Sequence, residues 1–455
     1  MNTERSCPPN IVFLFSDQQR WDTCGCYGQP LNLTPHLDRI AAEGVRGEHA
    51  FTCQPVCGPA RACLQTGKYA TEVGCHVNHC RLPENEKTIA HWIGGAGYDT
   101  AYIGKWHLAS CGPKNGPDDF RELPVPPDRR GGYKEWLAAD VLEFTSHAYD
   151  GHVFDGAGER RDFPAGRYRA DALTDWALDY LRTREADKPF FLFVSFVEPH
   201  HQNDHKHYEG PHGSKERFKD FVVPGDLVDT KGDWRTEYPD YLGCVQALDA
   251  NVGRIDAALR DRGLADNTLL IYTSDHGSHF RTRTAEYKRA CHDACIRVPL
   301  ILRGPGFTGG QVRPELVSLI DLPPTLLRAA GVTPPPEMRG RPLQELLEGR
   351  AASWPEEVFL QISESQCGRA IRTRQWKYSV FAPDRTGADP ASDWYEEEYL
   401  YNLDSDPHER HNLVRDSACA DIRRELAERL KQRMQAAGEA VPDIRPARAL
   451  EHPDS

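Results

Sequence analysis

The chain has 455 residues, with 68 acidic against 55 basic side chains and a formal net charge of -13. That balance disfavours non-specific attraction to nucleic acid or to an anionic membrane surface, and no apolar stretch approaches the length of a transmembrane helix. The length exceeds one ordinary core, so a large domain with a smaller partner is expected, divided here as residues 1–350 and 351–455.

The first nine residues carry no apolar segment of the secretory kind, so a cytoplasmic location is expected. Fourteen cysteines then read as buried thiols rather than disulfides. Cys24/Cys26, Cys75/Cys80 and Cys291/Cys295 have His76, His79 and His292 nearby, but lack the paired C-x-x-C spacing of a structural zinc site.

Asn10-Ile11-Val12-Phe13-Leu14-Phe15-Ser16-Asp17 is an unbroken apolar run ending in an acid. Such runs mark strands buried on both faces, in a parallel or mixed sheet covered by helices. Thr34-Pro35 opens an amphipathic helix, with Thr34 as its cap and Pro35 in the first turn. In Cys57-Gly58-Pro59-Ala60-Arg61, Pro59 suits a first turn and Gly67 suits a stop, so Cys57 falls at a short helix's N-terminus. Arg61 lies one turn on, on the same face. The spacing predicts a helix over 88–94 and a strand over 98–108. Residues 113–167 are rich in Pro, Gly and charge and read as an insertion over the sheet edge. A helix over 169–184 precedes a third apolar strand, 188–196, which ends in Glu198-Pro199-His200-His201. The long polar stretch 201–231 reads as a functional loop. A helix over 241–262, a fourth strand over 267–275, a fifth over 297–303 and a helix from 321 complete the large domain.

Beyond a connector at 333–350 the pattern changes. Residues 358–362, 369–381 and 398–403 alternate or carry β-branched and aromatic side chains, predicting a small antiparallel sheet. A charged helix covers 418–437. Glu396-Glu397-Glu398 reads as a solvated charge cluster.

Four apolar strands each end in groups capable of chemistry: Asp17/Gln18, Lys105/His107, His200/His201 and Asp275/His276. If they run in the same sense in one sheet, these groups meet at one edge. Asp17 and Asp275 would then need a cation between them. Oxygen ligands, with Gln18 among them, suit calcium or magnesium, whereas the His276 imidazole suits manganese or another transition metal. Cys57 alone reads more readily as a small buried hydrophobe. Beside a helix N-terminus and Arg61, it reads as a nucleophile next to an anion site.

Cys57-Gly58-Pro59-Ala60-Arg61, followed by Leu64-Gln65-Thr66-Gly67-Lys68, resembles the C-x-P-x-R and L-x-T-G-[RK] signature of the type I, formylglycine-dependent sulfatases. Asp17-Gln18 and Asp275-His276 resemble that family's metal pairs, and Gly104-Lys105-Trp106-His107-Leu108, Pro199-His200 and Lys288 before Arg297-Val298-Pro299-Leu300-Ile301 resemble further segments. Leu400-Tyr401-Asn402-Leu403 through Asn412-Leu413 resembles its closing motif. The resemblance spans almost the whole chain. It implies an alkaline-phosphatase-like α/β sandwich, a large mixed sheet between helices, with a smaller C-terminal domain of antiparallel sheet and helix.

The resemblance implies a sulfuric ester hydrolase. Residue 57 would work as hydrated formylglycine (3-oxoalanine), one hydroxyl attacking sulfur to form a covalent sulfo-enzyme. One divalent metal, expected to be calcium with manganese as the alternative, would sit among Asp17, Gln18, Cys57, Asp275 and His276. Arg61, Lys105 and Lys288 would offset the spreading negative charge. His200, with Lys288, would protonate the leaving alcohol, and His107 would take the second hydroxyl's proton so that the aldehyde re-forms. Where the family commonly has Asp-Asp and Asp-Asn, this chain has Asp17-Gln18 and Asp275-His276, which look like the choline-sulfatase and phosphonate monoester hydrolase branch. His201-Gln202-Asn203 and His292-Asp293 also depart from the common pattern, and His201, Asn203 and His292 are expected at the substrate. The expected partners are a saccharide or small-molecule sulfate ester and an enzyme that matures Cys57, with no nucleic acid and no membrane; a homo-oligomer stays open. The alternatives are a phosphonate monoester or phosphodiester hydrolase using the same site and, in another class, a non-catalytic metal- or thiol-binding protein.

Overall fold

The structure, a computed structural model, describes residues 8–185 and 188–448; the reading of the chain's first seven residues lies outside that range. Strands β1 (Asn10–Ser16), β2 (Val45–Phe51), β3 (Asp99–Lys105), β4 (Glu135–Ala139), β5 (His152–Asp155), β6 (Arg160–Asp162), β7 (Phe190–Ser195), β8 (Thr268–Ser274), β9 (Arg297–Val298), β10 (Leu300–Arg303) and β11 (Gln311–Ser318) make one sheet. Its order is β11-β2-β10-β8-β1-β7-β3-β4-β5-β6, with β9 on β2. All of β1, β7 and β8 is buried, because apolar side chains on both faces meet helices. One layer holds α1 (Pro35–Glu43), α4 (Arg169–Thr183) and α5 (Trp234–Asp261), and the other holds α2 (Cys57–Thr66), α3 (Ile89–Gly95) and α6 (Leu322–Ala329). β1, β3, β7 and β8 all run parallel, so their carboxyl ends share one edge. No helix among the described residues is long and apolar enough to cross a membrane.

Three expectations for the large domain need correction. Residues 113–167 extend the sheet through β4, β5 and β6 rather than lying over its edge; these strands are short and two are largely polar, which hid them. The fifth strand is interrupted at Pro299, which has no N–H for the ladder. β9 pairs with β2, and β10 runs antiparallel to β8. α5 begins at Trp234 and passes through Pro239. Pro239 lies past the first turn and leaves the Arg235 carbonyl without its helical N–H; the joint burial of Trp234, Tyr238, Tyr241 and Leu242 holds the helix together there.

The smaller sheet contains β12 (Glu357–Ile362), β13 (Gly368–Thr373), β14 (Trp376–Phe381), β15 (Trp394–Asn402) and β16 (Asp443–Arg445). The first four are antiparallel, and β16 adds a parallel edge. α7 (Ala420–Ala436) packs on it through Leu426, Leu430 and Met434. Glu396, Glu397 and Glu398 are not a solvated cluster. They lie on β15, and Glu397 meets Tyr378 and Arg423 while Glu398 accepts from Gln366 and Ser379. The two domains are fastened by a buried ionic knot. Asp293, of the large domain, meets Lys377 at 2.5 Å and Arg372 at 3.1 Å. Glu409 also pairs with Lys377 and accepts the Asp293 N–H. Around it Cys291, Cys295 and Ile296 pack on Val358, Leu360 and Ile362.

Candidate active site

The four parallel strand ends deliver their polar residues to one buried cluster. After β1, Asp17 is followed by Gln18 in the left-handed region (φ 69°), and the Gln18 N–H donates to Asp275 Oδ1 at 3.0 Å. That bond ties the ends of β1 and β8 together. α2 starts at Cys57 and ends at Gly67 (φ 72°), as its sequence predicts, and every residue of it is buried. Cys57 Sγ lies 2.8 Å from Lys288 Nζ, 3.2 Å from His276 Nε2 and 3.4 Å from Asp17 Oδ1. Burial, then the Asp17 charge, push this thiol up to about 12. Burial outweighs the helix N-terminus here and disfavours the thiolate.

The cations are fixed by the carboxylates. Arg61 meets Asp17 Oδ2 at 3.0 Å and Asp275 Oδ2 at 3.5 Å, and it also donates to the Lys105 carbonyl and Ser195 Oγ. Lys105 Nζ lies between Asp17 Oδ2 (2.8 Å) and Glu143 Oε1 (2.7 Å). Burial opposes the Lys105 charge, but Asp17 and Glu143 outweigh it and raise the pKa. Lys288 Nζ stands 3.4 Å from His200 Nε2, and His200 Nε2 is 4.0 Å from Asp17 Oδ1. Burial holds His200 well below its usual range, against the pull of Asp17. His107 (φ 62°) is buried with both ring nitrogens unpartnered. Burial, then Lys105, keep it neutral.

The donor set fits a divalent metal. Asp17, Cys57, Asp275 and His276 bring ligand atoms within 4.8 Å of one another, all buried. Burial and then the Asp17 charge lift Asp275 to about 7; a dication between the two carboxyls would offset both effects. Gln18 Nε2 donates to Tyr208 Oη at 2.6 Å, which leaves Gln18 Oε1 buried and unpartnered. His276 Nδ1 lies 2.9 Å from the Gly277 carbonyl, so that nitrogen carries the proton and Nε2 keeps its lone pair for the cluster.

The remaining candidates stand differently. His201 stacks on Tyr287, the neighbour of Lys288, and its Nδ1 lies 3.2 Å from Asn203 Oδ1, which also accepts from Tyr287 Oη at 2.8 Å. Together they form a wall beside the cluster. His292 is set apart in the domain seam, its Nε2 3.1 Å from Tyr401 Oη. Sequence reasoning missed Glu143, Ser195 and Tyr208, which hold Lys105, Arg61 and Gln18. It also missed Asp140, whose carboxylate accepts the N–H groups of Leu108, Ala109 and Ser110 and fixes the turn after His107. Glu143 and Asp140 lie in the Pro- and Gly-rich stretch, where no periodicity flags them. Among the described residues, none of the groups placed to hold a metal includes the paired cysteines.

Two family descriptions match the chain: Sulfatase over residues 9–332 and "N-sulphoglucosamine sulphohydrolase, C-terminal" over residues 285–436. The uncharacterized sulfatase YidJ of Escherichia coli is 31% identical over 454 residues, covering 93% of this chain and 86% of that protein. An N-acetylglucosamine-6-O-sulfatase of Bacteroides thetaiotaomicron is 26% identical, with 97% and 88% covered. Among solved structures, the yidJ protein of Bacteroides fragilis superposes with a TM-score of 0.83 at 26% identity, over 97% of this chain and 98% of that one. A structure determined with its substrate, D-glucosamine-2-N,6-O-disulfate, gives 0.76 at 25% identity, over 96% and 99%. The phosphonate monoester hydrolase of Agrobacterium radiobacter shares the fold, with a TM-score of 0.70 at 23% identity over 94% and 96%.

Proposed function

This chain belongs to the sulfatase family, within the formylglycine-dependent group of the alkaline phosphatase superfamily, and from that premise we propose that it cleaves a sulfate monoester from a saccharide at residue 57. The observation that carries the site is the convergence on Cys57 Sγ of Lys288, His276 and Asp17, within 3.4 Å. The saccharide is supported by a relative named as an N-acetylglucosamine-6-O-sulfatase, by a structure determined with a glucosamine disulfate and by the polar wall of His201 and Asn203.

The family implies one divalent metal and formylglycine at position 57; Asp17, Gln18, Asp275 and His276 would hold the metal. The metal supplies Lewis acidity toward the sulfate oxygens, and the hydrated formylglycine supplies two hydroxyls, one to attack and one to lose a proton. Calcium is our first assignment, on two carboxylates and the Gln18 amide oxygen. Manganese is the second, on the His276 imidazole.

The chain's own residues do the rest. Arg61, Lys105 and Lys288 are charged before substrate arrives, so they stabilise spreading negative charge without reorganisation. His200 is neutral in the free site, so the proton for the leaving alcohol resides on Lys288, 3.4 Å away. His107, neutral and unpartnered, is the base for the second hydroxyl. His201 and Asn203 orient the sugar.

Mass spectrometry of the Cys57 peptide, from a host that matures sulfatases, tests the nucleophile: an aldehyde or its hydrate is expected, and only an unmodified thiol would remove the mechanism. Sulfate release from glucosamine sulfates, compared with hydrolysis of aryl sulfates and aryl phosphodiesters, tests the substrate. Faster phosphodiester cleavage would move the assignment to the second reading, which Gln18 and His276 favour.

A further inference from the structure

A second group of metal-ligand atoms stands on the surface, built from residues that the reaction does not use. His147 follows the helical turn at Leu142–Thr145; Asp204 and His205 lie on the loop after β7. Each offers a ligand atom within 4.8 Å of the others, and His205, His207 and Glu209 form an overlapping group. His147 Nε2 lies 2.8 Å from Asp204 Oδ2, and the two imidazoles stack with centroids 4.1 Å apart. Each imidazole also has a carboxylate on its Nδ1: Asp150 for His147 at 3.2 Å, and Glu209 for His205 at 2.5 Å. A carboxylate on Nδ1 is the arrangement that orients metal-binding histidines; His147 Nε2, held here by Asp204, would exchange its proton for the metal.

We propose that His147, Asp204 and His205 bind a zinc-type transition-metal dication, at a site distinct from the one beside residue 57. Two imidazoles and one carboxylate suit zinc and its neighbours, whereas calcium wants more oxygens. Tetrahedral ligands at zinc bond lengths stand roughly 3.4 Å apart, so His147 Nε2 and Asp204 Oδ2, now 2.8 Å apart, must part slightly and the stacked rings must splay. All three are partly exposed and free to do so. The fourth position is left to water.

The site has a path to the catalytic wall. Asp204 Oδ1 accepts from Gln202 Nε2 at 2.8 Å, Gln202 Nε2 donates to the Glu143 carbonyl at 2.8 Å, and Glu143 Oε1 holds Lys105 at 2.7 Å. A dication on His147 and His205 therefore staples the loop carrying His201 and Asn203 to segment 146–150. This follows from local geometry and stands whichever ester is cleaved.

The test is titration of the calcium-saturated full chain with zinc chloride by calorimetry, and with cobalt(II) by visible absorption. The expected result is one equivalent of zinc, a tetrahedral cobalt spectrum, and at least tenfold weaker binding in His147→Ala/His205→Ala. The conservative Asp204→Asn variant should lose affinity in the same direction, which guards against a double variant that fails to fold. A wild-type chain that takes up no zinc, or variants that bind it as tightly as wild type, would overturn the proposal.

Discussion

Glu143→Gln isolates the support behind Lys105. The exchange keeps the shape and removes one of the two carboxylates on a fully buried ammonium. At 2.7 Å and an effective dielectric of 20, the pair attracts by about 6 kcal/mol before desolvation. The amide keeps a hydrogen bond worth about 1.5–3 kcal/mol, and breaking one side of a buried pair costs about 3–5 kcal/mol. With an unfolding entropy of about 2.1 cal/mol/K per residue, a chain of 455 residues loses about 1 °C of Tm per kcal/mol. Calorimetry should therefore show a Tm about 3–5 °C below wild type. Lys105→Met/Glu143→Gln, which removes both charges, should be more stable than the sum of the single variants predicts, by about 2–4 kcal/mol. A single variant within about 1 °C of wild type, or an additive cycle, would refute the view that Glu143 holds Lys105.

Cys57→Ser should fold normally but complete at most one cycle, because serine has no second hydroxyl to collapse and release sulfate; sustained turnover in a rapid-quench assay would sink the formylglycine assignment. Chelation should abolish hydrolysis and lower the Tm, since Asp17 and Asp275 then face each other without a dication, and calcium or manganese should restore both; full activity in chelator would contradict a metal site. His279 is held down to about 4, chiefly by burial, against about 6.5 when unfolded. The unfolded chain therefore binds more protons between those values, and stability falls as pH drops through that window, by about 3 kcal/mol. In His279→Gln the urea-derived stability difference between pH 7 and pH 4 should shrink by about that amount; an unchanged difference would show that His279 is not buried neutral.

The catalytic architecture was legible because its parts are local. An apolar run ending in a polar pair states both that a strand is buried and where its chemistry emerges, and four such runs gave Asp17, Lys105, His200 and Asp275 without any contact map. Pro59 and Gly67 likewise bracket α2 correctly. Residues whose role is to hold others were not legible. Glu143 matters only because the turn after β4 carries it to Lys105, and β4 has no periodicity that survives among its Pro- and Gly-rich neighbours. Glu396 to Glu398 read as solvent-facing because a run of like charges normally is; β15 crosses a covered sheet, and partners from β14 and α7 neutralise or hydrogen-bond two of the three. His292 sits on a segment of suggestive sequence, yet the seam with the second domain takes its ring. A sequence shows which groups are reactive, and only tertiary pairing shows which of them are occupied.

The ionic knot at Asp293 makes the pocket depend on chain far beyond it. Lys288 reaches residue 57 from a segment whose far end is gripped by Lys377 and Glu409. The last strand of the large sheet ends at Ser318, but that grip is made by residues as far on as Glu409. The side chain that stands against Cys57 is therefore anchored by the second domain, and a change at Lys377 or Glu409 acts on the pocket from outside it.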